Sequence, residues 1–207
     1  MSERAQARYE EIVNACEQLF KTMHYKDINI KEIAEKTTFS RPSIYNYFLT
    51  KEEIFLALLT REYEGWAEDL AKMQKVEGED GKYTFAISSA LVLEKRTALL
   101  KLLSMDLNEM ETNCRMERLV EFKKVYGRTI QAFKDAVKRL CEDMNDDSVE
   151  RFMYAYLPMV QGVYPYAFES DMQKEAMKQA GVSPTGKSLH ELLVSGGLLL
   201  FGVQDEQ

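Results

Sequence analysis

Histidine and cysteine are scarce in this chain: His24 and His190, and Cys16, Cys114 and Cys141, are all that 207 residues contain. Neither histidine has a sequence-level partner, so no nucleophile, base or metal set of the kind an enzyme needs can be assembled, and no enzymatic activity is expected. His190 reads as a surface or interface residue rather than a general base. The cysteines are odd in number and far apart, with no C-x-x-C and no histidine close by, which argues against a zinc site. They read as small buried residues in a reducing cytosol, so the protein is expected to be cytoplasmic, with no cofactor. Long apolar runs are lacking too. The longest, Leu192 to Val203, falls well short of the roughly 20 residues that span a bilayer. Met1-Ser2-Glu3-Arg4 leads into a charged helix rather than the apolar segment of a signal peptide, and no membrane partner is expected. No stretch sustains period-two alternation and no internal repeat is visible, which leaves an all-α fold.

What the chain does have is apolar content, 45% of its residues, enough for one large or two modest cores. Its net charge of −7 counts at first against a nucleic-acid partner. The acidity is unevenly placed, however. Residues 1–51 carry eight Lys/Arg against seven Asp/Glu, and the remainder carries 19 against 27. The first part is near neutral with cations available for phosphates, so non-specific binding to DNA should be modest and easily lost with salt.

The most telling stretch is Ser40 to Lys51, SRPSIYNYFLTK. Ser40 is placed to cap a short helix, and Pro42 is tolerated in its first turn, where N–H groups have no intrahelical partner. Ile44 and Phe48, four apart, can face a core, while Ser43, Asn46 and Tyr47 project elsewhere and Tyr45 stands at the edge of the stripe. A helix that exposes aromatic hydroxyls and an amide contributes little to stability and suits a groove. Upstream, Asn29-Ile30-Lys31-Glu32 has capping-box spacing and opens a first short helix, with Thr37 to Phe39 as the turn between the two. Such a pair is a helix-turn-helix, whose second helix can enter the DNA major groove, or a plain helical corner.

The residues decide between these. Ala15-Cys16-Glu17-Gln18-Leu19-Phe20, the link His24-Tyr25-Lys26-Asp27-Ile28, Ile33-Ala34, the run Ser40 to Phe48 and Lys51-Glu52-Glu53 occur in the order and spacing of the DNA-binding domain of the TetR family of transcriptional regulators, which this part of the chain closely resembles. One departure is His24, where the family usually has glycine. The match covers about a quarter of the chain; beyond it only the helical plan is similar. The resemblance implies a three-helix helix-turn-helix domain over residues 1–50 and a larger helical domain for ligand binding and dimerisation over 51–207. It further implies a homodimer on a palindromic double-stranded operator, and a small-molecule effector. It also implies DNA contacts from Pro42, Ser43, Tyr45, Asn46, Tyr47 and Lys51. By chemistry, Lys51, Tyr47, Ser40 and Lys31 suit phosphate oxygens. Arg41, Ser43, Tyr45 and Asn46 suit base edges, Arg41 for guanine and Asn46 for adenine, and Pro42 could pack on a thymine methyl. Tyr45 also has a reading as a packing residue with a solvated hydroxyl.

Periodicity predicts helices over about Glu3–Met23, Lys51–Gln74, Tyr83–Lys95, Thr97–Leu107, Asn113–Met144 and Val149–Phe168, the last kinked or broken at Pro158 and Pro165. The helix from Lys51, with Phe55, Leu59, Tyr63, Trp66, Leu70 and Met73 as its stripe, looks like a lever. A last helix from about Thr185 to Gly202 is apolar on more than one face. Leu189, Leu192, Leu193, Gly196, Gly197 and Leu200 are the candidates for a dimer interface, the glycines permitting close backbone approach. A buried helix of a monomer is the alternative. Candidates for an effector pocket suited to apolar or planar molecules are Trp66, Phe85, Met105, Phe122, Tyr126, Tyr154, Tyr164 and Phe168, any of which can instead be core. The function read here is a ligand-released repressor; a ligand-recruited activator or a helical protein-binding adaptor are the alternatives.

Overall fold

The computed structural model describes residues 2–184 and 186–203, and among them every regular element is helical. In order these are α1 Glu3–Thr22, a 3-10 turn Tyr25–Asp27, α2 Ile30–Glu35, α3 Arg41–Ile44, α4 Lys51–Lys72, α5 Gly81–Glu94, α6 Thr97–Leu103, α7 Leu107–Thr112, α8 Met116–Leu140, α9 Asp146–Ala167, α10 Asp171–Ala180 and α11 Leu189–Leu200. No described helix is long and apolar enough to cross a membrane. Packing divides the chain into two compact units, Met1–Gly65 with Asp106–Arg128, and Trp66–Met105 with Thr129–Gln207. The unit that holds the helix-turn-helix therefore takes in a second, distant segment.

In the first unit, α1 is started by Ser2, whose Oγ accepts from the Ala5 N–H at 3.3 Å. It buries Ile12, Val13, Cys16, Leu19 and Phe20 on one face, the 3.6-residue stripe that its sequence repeats. Asn29 forms the expected capping box with Glu32 at the head of α2. Ile28, Ile33, Ile44, Phe48, Ile54 and Phe55 complete this core. Phe55 meets Phe20 and Tyr25 edge-on at centroid distances of 5.3 and 4.8 Å. Tyr63 meets Phe122 and Tyr126 at 5.6 and 5.7 Å.

In the second unit the centre is Phe85 on α5. Its ring lies within 5.4 to 5.8 Å of those of Phe133, Phe152, Tyr156 and Phe201, steeply inclined to each, the edge-to-face arrangement that ring quadrupoles favour. Tyr156 Oη donates to Ser89 Oγ at 2.9 Å inside the core, so its polar tip is satisfied. Burial raises the Tyr156 hydroxyl to about 12, which keeps it neutral.

Three elements differ from their expected form. The helix α9 runs unbroken through Pro158 and Pro165. Both prolines and the residues four before them, Tyr154 and Gln161, lie on the exposed face, where water can take the freed carbonyls. Its four tyrosines do not share one region: Tyr156 is fully buried, whereas Tyr154 and Tyr166 are exposed. Helices α7 and α10 are additions to the periodic plan. The first has six residues, too few for a period to show, and starts at Asp106, which accepts from the Asn108 and Glu109 N–H groups. The second carries a legible signature, the Ser170/Gln173 capping box and Gly181 at φ 68° as a left-handed stop. Thr185, the expected start of the last helix, lies outside the described residues; α11 begins at Leu189, behind a Ser188/Glu191 capping box.

Gly81 stands at the start of α5 against the chain at Leu140. A Cβ there would meet the Leu140 carbonyl, whereas one at Gly127 on α8 meets nothing. Gly81→Ala should therefore cost about 1–3 kcal/mol by forcing backbone to move, and Gly127→Ala should stabilise by up to about 1 kcal/mol through helix propensity. Thermal melts of the two variants should move in opposite directions.

Candidate nucleic-acid interface

A helix of four residues has no stability of its own, and α3 is held by its own Ile44 and by Phe48 just beyond the turn that follows it. Ile44 and Phe48 are fully buried, and the Tyr9 ring of α1 lies 4.8 Å from that of Phe48. After Ile44 the chain continues as tight turns, with the Tyr47 and Phe48 N–H groups both donating to the Ile44 carbonyl at 2.8 and 3.0 Å. Between these anchors Tyr45 and Asn46 face outward, Tyr45 with 39% of its surface exposed. Ser40, Arg41 and Pro42 are exposed as well, and Ser43 and Tyr47 half-buried. Ser40 does not cap α3 as expected; its Oγ lies 3.2 Å from Ser43 Oγ. The two hydroxyls satisfy each other, and Pro42 in the first turn has no N–H to offer.

Lys31, Arg41, Tyr45 and Lys51 gather with Asn29 and Ile30 around an open depression of about 430 Å³. Ser40, Pro42, Ser43, Asn46 and Tyr47 lie outside its lining. Lys51 Nζ donates to the Tyr25 carbonyl at 3.1 Å and sits 4.1 Å from the Tyr25 ring centroid, which leaves two of its three donors for other acceptors. The Tyr25 hydroxyl donates to Glu52 at 2.9 Å, and burial together with that bond raises its pKa. Arg41 folds back on Tyr45, donating to Oη at 3.1 Å with its guanidinium carbon 5.8 Å from the ring centroid. Lys31 pairs with Glu35 at 3.9 Å, both largely solvated, and such a pair contributes little.

Sequence reasoning missed the residues that brace this segment from behind. Glu53 has 1% of its surface exposed. Its carboxylate accepts from Arg115 Nε and Nη2 at 2.6 and 2.7 Å, from the Arg115 N–H at 3.1 Å and from the Leu49 N–H at 2.8 Å. Burial pushes the Glu53 carboxyl up, and the hydrogen bonds from Arg115 and Leu49 outweigh it, so the group is held below its ordinary value. Arg115 and Arg118 both reach the Tyr47 carbonyl, at 3.2 and 3.4 Å. Glu53 was visible only as part of the K-E-E run; the arginines, more than sixty residues away in sequence, carried no local signal.

The candidate effector-pocket residues are divided between the two units. Phe122 and Tyr126 belong to the first unit, with Tyr63. Trp66 and Phe85 are buried in the second, in contact with Phe133. Met105 is half-buried, Tyr164 and Phe168 pair at 4.7 Å, and Tyr154 is 67% exposed. Among the interface candidates, Leu189, Leu193 and Gly197 are buried inside the chain, a Cβ on Gly197 meeting Tyr156 and Ala86 at 3.5 and 3.6 Å. Leu192 and Gly196 instead line an apolar groove of about 750 Å³ along α9 and α11, with Met159, Val163, Tyr166 and Leu199. Leu200 lies just outside it, 37% exposed. Leu199, 75% exposed, is not among the sequence candidates.

Comparison with known proteins agrees with this architecture. Residues 12–58 match the family model of bacterial regulatory proteins, tetR family, and residues 60–197 match that of the tetracyclin repressor-like C-terminal domain. No match was found among the curated proteins. The fatty acid degradation regulator FadR from Bacillus halodurans is similar at 14% identity, over 96% of this chain and 97% of its own, with a TM-score of 0.59. The TetR family regulator PfmR from Thermus thermophilus is 16% identical over 94% and 99%, also at 0.59. Thermus thermophilus FadR, solved in complex with lauroyl-CoA, is 19% identical over 96% of both chains at 0.56. At such identities these structures establish the fold.

The Glu53 carboxylate carries a pH signature. Because its folded pKa is depressed, its stabilisation is complete above the ordinary glutamate value of 4.5 and is lost as the pH falls from there through the lower folded value. Glu53→Gln should cost about 2 kcal/mol at neutral pH. It should also remove this component of the acid dependence, as read by denaturant melts between roughly pH 3 and 7.

Proposed function

The chain belongs to the TetR family of bacterial transcriptional regulators, and we propose that it is a repressor that binds a palindromic operator as a homodimer and is released by a small apolar or aromatic effector. The observation that carries the DNA-binding reading is the outward pair Tyr45 and Asn46, set between two buried anchors beside a depression ringed by Lys31, Arg41 and Lys51. Asn46 and Arg41 act on base edges with Ser43 and Tyr45, and Pro42 on a thymine methyl. Lys31, Ser40, Tyr47 and Lys51 act on phosphates. Residues 1–50 together with Lys51 contact DNA, and effector and partner bind within 51–207. No catalytic step is assigned to any residue, and the protein acts in the cytoplasm.

One reading segment reaches only a few base pairs, so a second copy on a two-fold axis is required for a specific site. The groove along α9 and α11, with Leu192, Gly196 and Leu199 on its walls, supports dimerisation there. An effector that favours a dimer geometry with the wrong half-site spacing releases DNA, a coupling of about 1–3 kcal/mol in typical cases. Lauroyl-CoA, found with one structural relative, is a first effector to try. If it instead strengthens DNA binding, the activator reading takes over. A protein-binding adaptor is disfavoured because it leaves Tyr45, Asn46, Tyr47 and Lys51 without a role.

Fluorescence anisotropy on duplexes from upstream of the protein's own gene tests the reading. Lys51→Ala should weaken every duplex alike and flatten the salt dependence, whereas Asn46→Ala should relax preference at one position by about 1–3 kcal/mol. Equal losses on all operator variants for both substitutions would refute the division of roles. Leu199→Glu should convert a dimer to a monomer in sedimentation while leaving the helical content intact, because the side chain has little contact within its own chain.

A further inference from the structure

Four groups from the segment 113–118 close on the residues that follow α3. The Arg115 guanidinium takes both oxygens of Glu53 and also donates to the Tyr47 carbonyl. The Arg118 guanidinium donates to the same carbonyl and lies over two rings, 5.6 Å from the centroid of Tyr9 and 5.9 Å from that of Phe48. Its Nη1 also donates to Glu121 at 2.9 Å. Thr50 Oγ1 donates to the Asn113 carbonyl at 3.1 Å and accepts from the Glu53 N–H at 3.2 Å. The Arg115 N–H adds a further bond to Glu53.

Apart from those to Tyr9 and Glu121, these contacts fall between Tyr47 and Glu53, where the chain passes from the turn after α3 into α4. The reading segment itself is four helical residues and a turn, too short to keep its own orientation. A charge-assisted bond to the carbonyl that ends the turn after α3, doubled and backed by a bidentate ion pair, fixes both the position and the direction of the chain there.

We propose that Arg115 and Arg118 are positioning residues for DNA recognition. They hold the carbonyl of Tyr47, and so set the angle at which Tyr45, Asn46 and Tyr47 are presented, without themselves touching the duplex. This rests on the DNA-binding function proposed above and extends it. The reading head comprises two stretches of chain, the N-terminal helices and the start of α8, and is incomplete without the second.

The test uses the full-length protein with Arg118→Ala, Arg115→Ala and Arg118→Lys. Arg61→Ala is the control, since Arg61 pairs with Glu17 at 2.6 Å and touches nothing after α3 among the contacts described. Two readouts are taken: amide hydrogen exchange of residues 45–49 in the free protein, and affinity for a duplex selected by the wild type from a random library, set against an unselected random duplex over a salt series.

Positioning predicts that Arg118→Ala and Arg115→Ala speed exchange at 45–49 by about tenfold or more, as loss of charged hydrogen bonds should. It also predicts about a tenfold loss on the selected duplex with little on the random one and an unchanged salt slope. Lysine at 118, which keeps a donor and a cation over the rings, should recover most of both. Exchange at 45–49 no faster than in Arg61→Ala overturns the proposal. So does a fall of about one in the salt slope per arginine removed, which would make these residues phosphate contacts. The exchange measurement needs no DNA. A wild type that ignores every duplex would end the proposed function while exchange still decides the clamp.

Discussion

A recognition element one turn long can be neither self-supporting nor self-orienting, because helix nucleation is unfavourable and a single turn returns too few hydrogen bonds to offset it. Everything specific about α3 is therefore imposed from outside. From beneath, Ile44 and Phe48 enter a core built by α1, α2 and the start of α4. From behind, Glu53 and two arginines tie down the chain after it. The exposed residues between these restraints are free of structural duty and can be given to a partner. The same logic accounts for the small contribution of net charge. The first fifty-one residues are nearly neutral, and Lys31, Arg41 and Lys51 gather around one depression rather than spreading as a basic field.

Glu53 shows how satisfying a buried charge also fixes orientation. A carboxylate cut off from water is costly unless its lone pairs are answered, and here four donors answer them, two from backbone and two from one guanidinium. Each donor has a direction, so satisfying the charge also fixes where Leu49 and Arg115 stand. Removing the acid leaves those donors facing an amide that cannot accept all of them. The second unit reaches its order differently, through aromatic packing around Phe85, where shape and area dominate. Its surface keeps an apolar groove along α9 and α11.

Most of the helical plan was legible because it is periodic. The stripe Phe55, Leu59, Tyr63, Trp66, Leu70 and Met73 is buried throughout, and the box at Asn29 and Glu32 forms as its spacing requires. The family signature was legible because the helix-turn-helix that carries it is contiguous in sequence. What escaped is what depends on distance along the chain. Arg115 and Arg118 act 68 and 71 residues from Tyr47, and no local pattern marks a residue whose partner lies so far away. Helix faces are hard to assign where both are apolar. In α11 hydropathy alone could not say that Leu193 turns inward while Leu199 turns out. Aromatic composition alone does not separate a pocket from a core, since rings that pack a core and rings that line a cavity are the same rings.

The measurement that bears most directly on this account is a hydroxyl-radical footprint of the purified full-length protein on DNA from upstream of its own gene. Two equivalent protected patches on one face of the duplex, related by a dyad and centred about one or a few helical turns of roughly 34–36 Å apart, are what paired reading segments would leave. A single unsymmetrical patch, or no protection at any salt concentration, would contradict it.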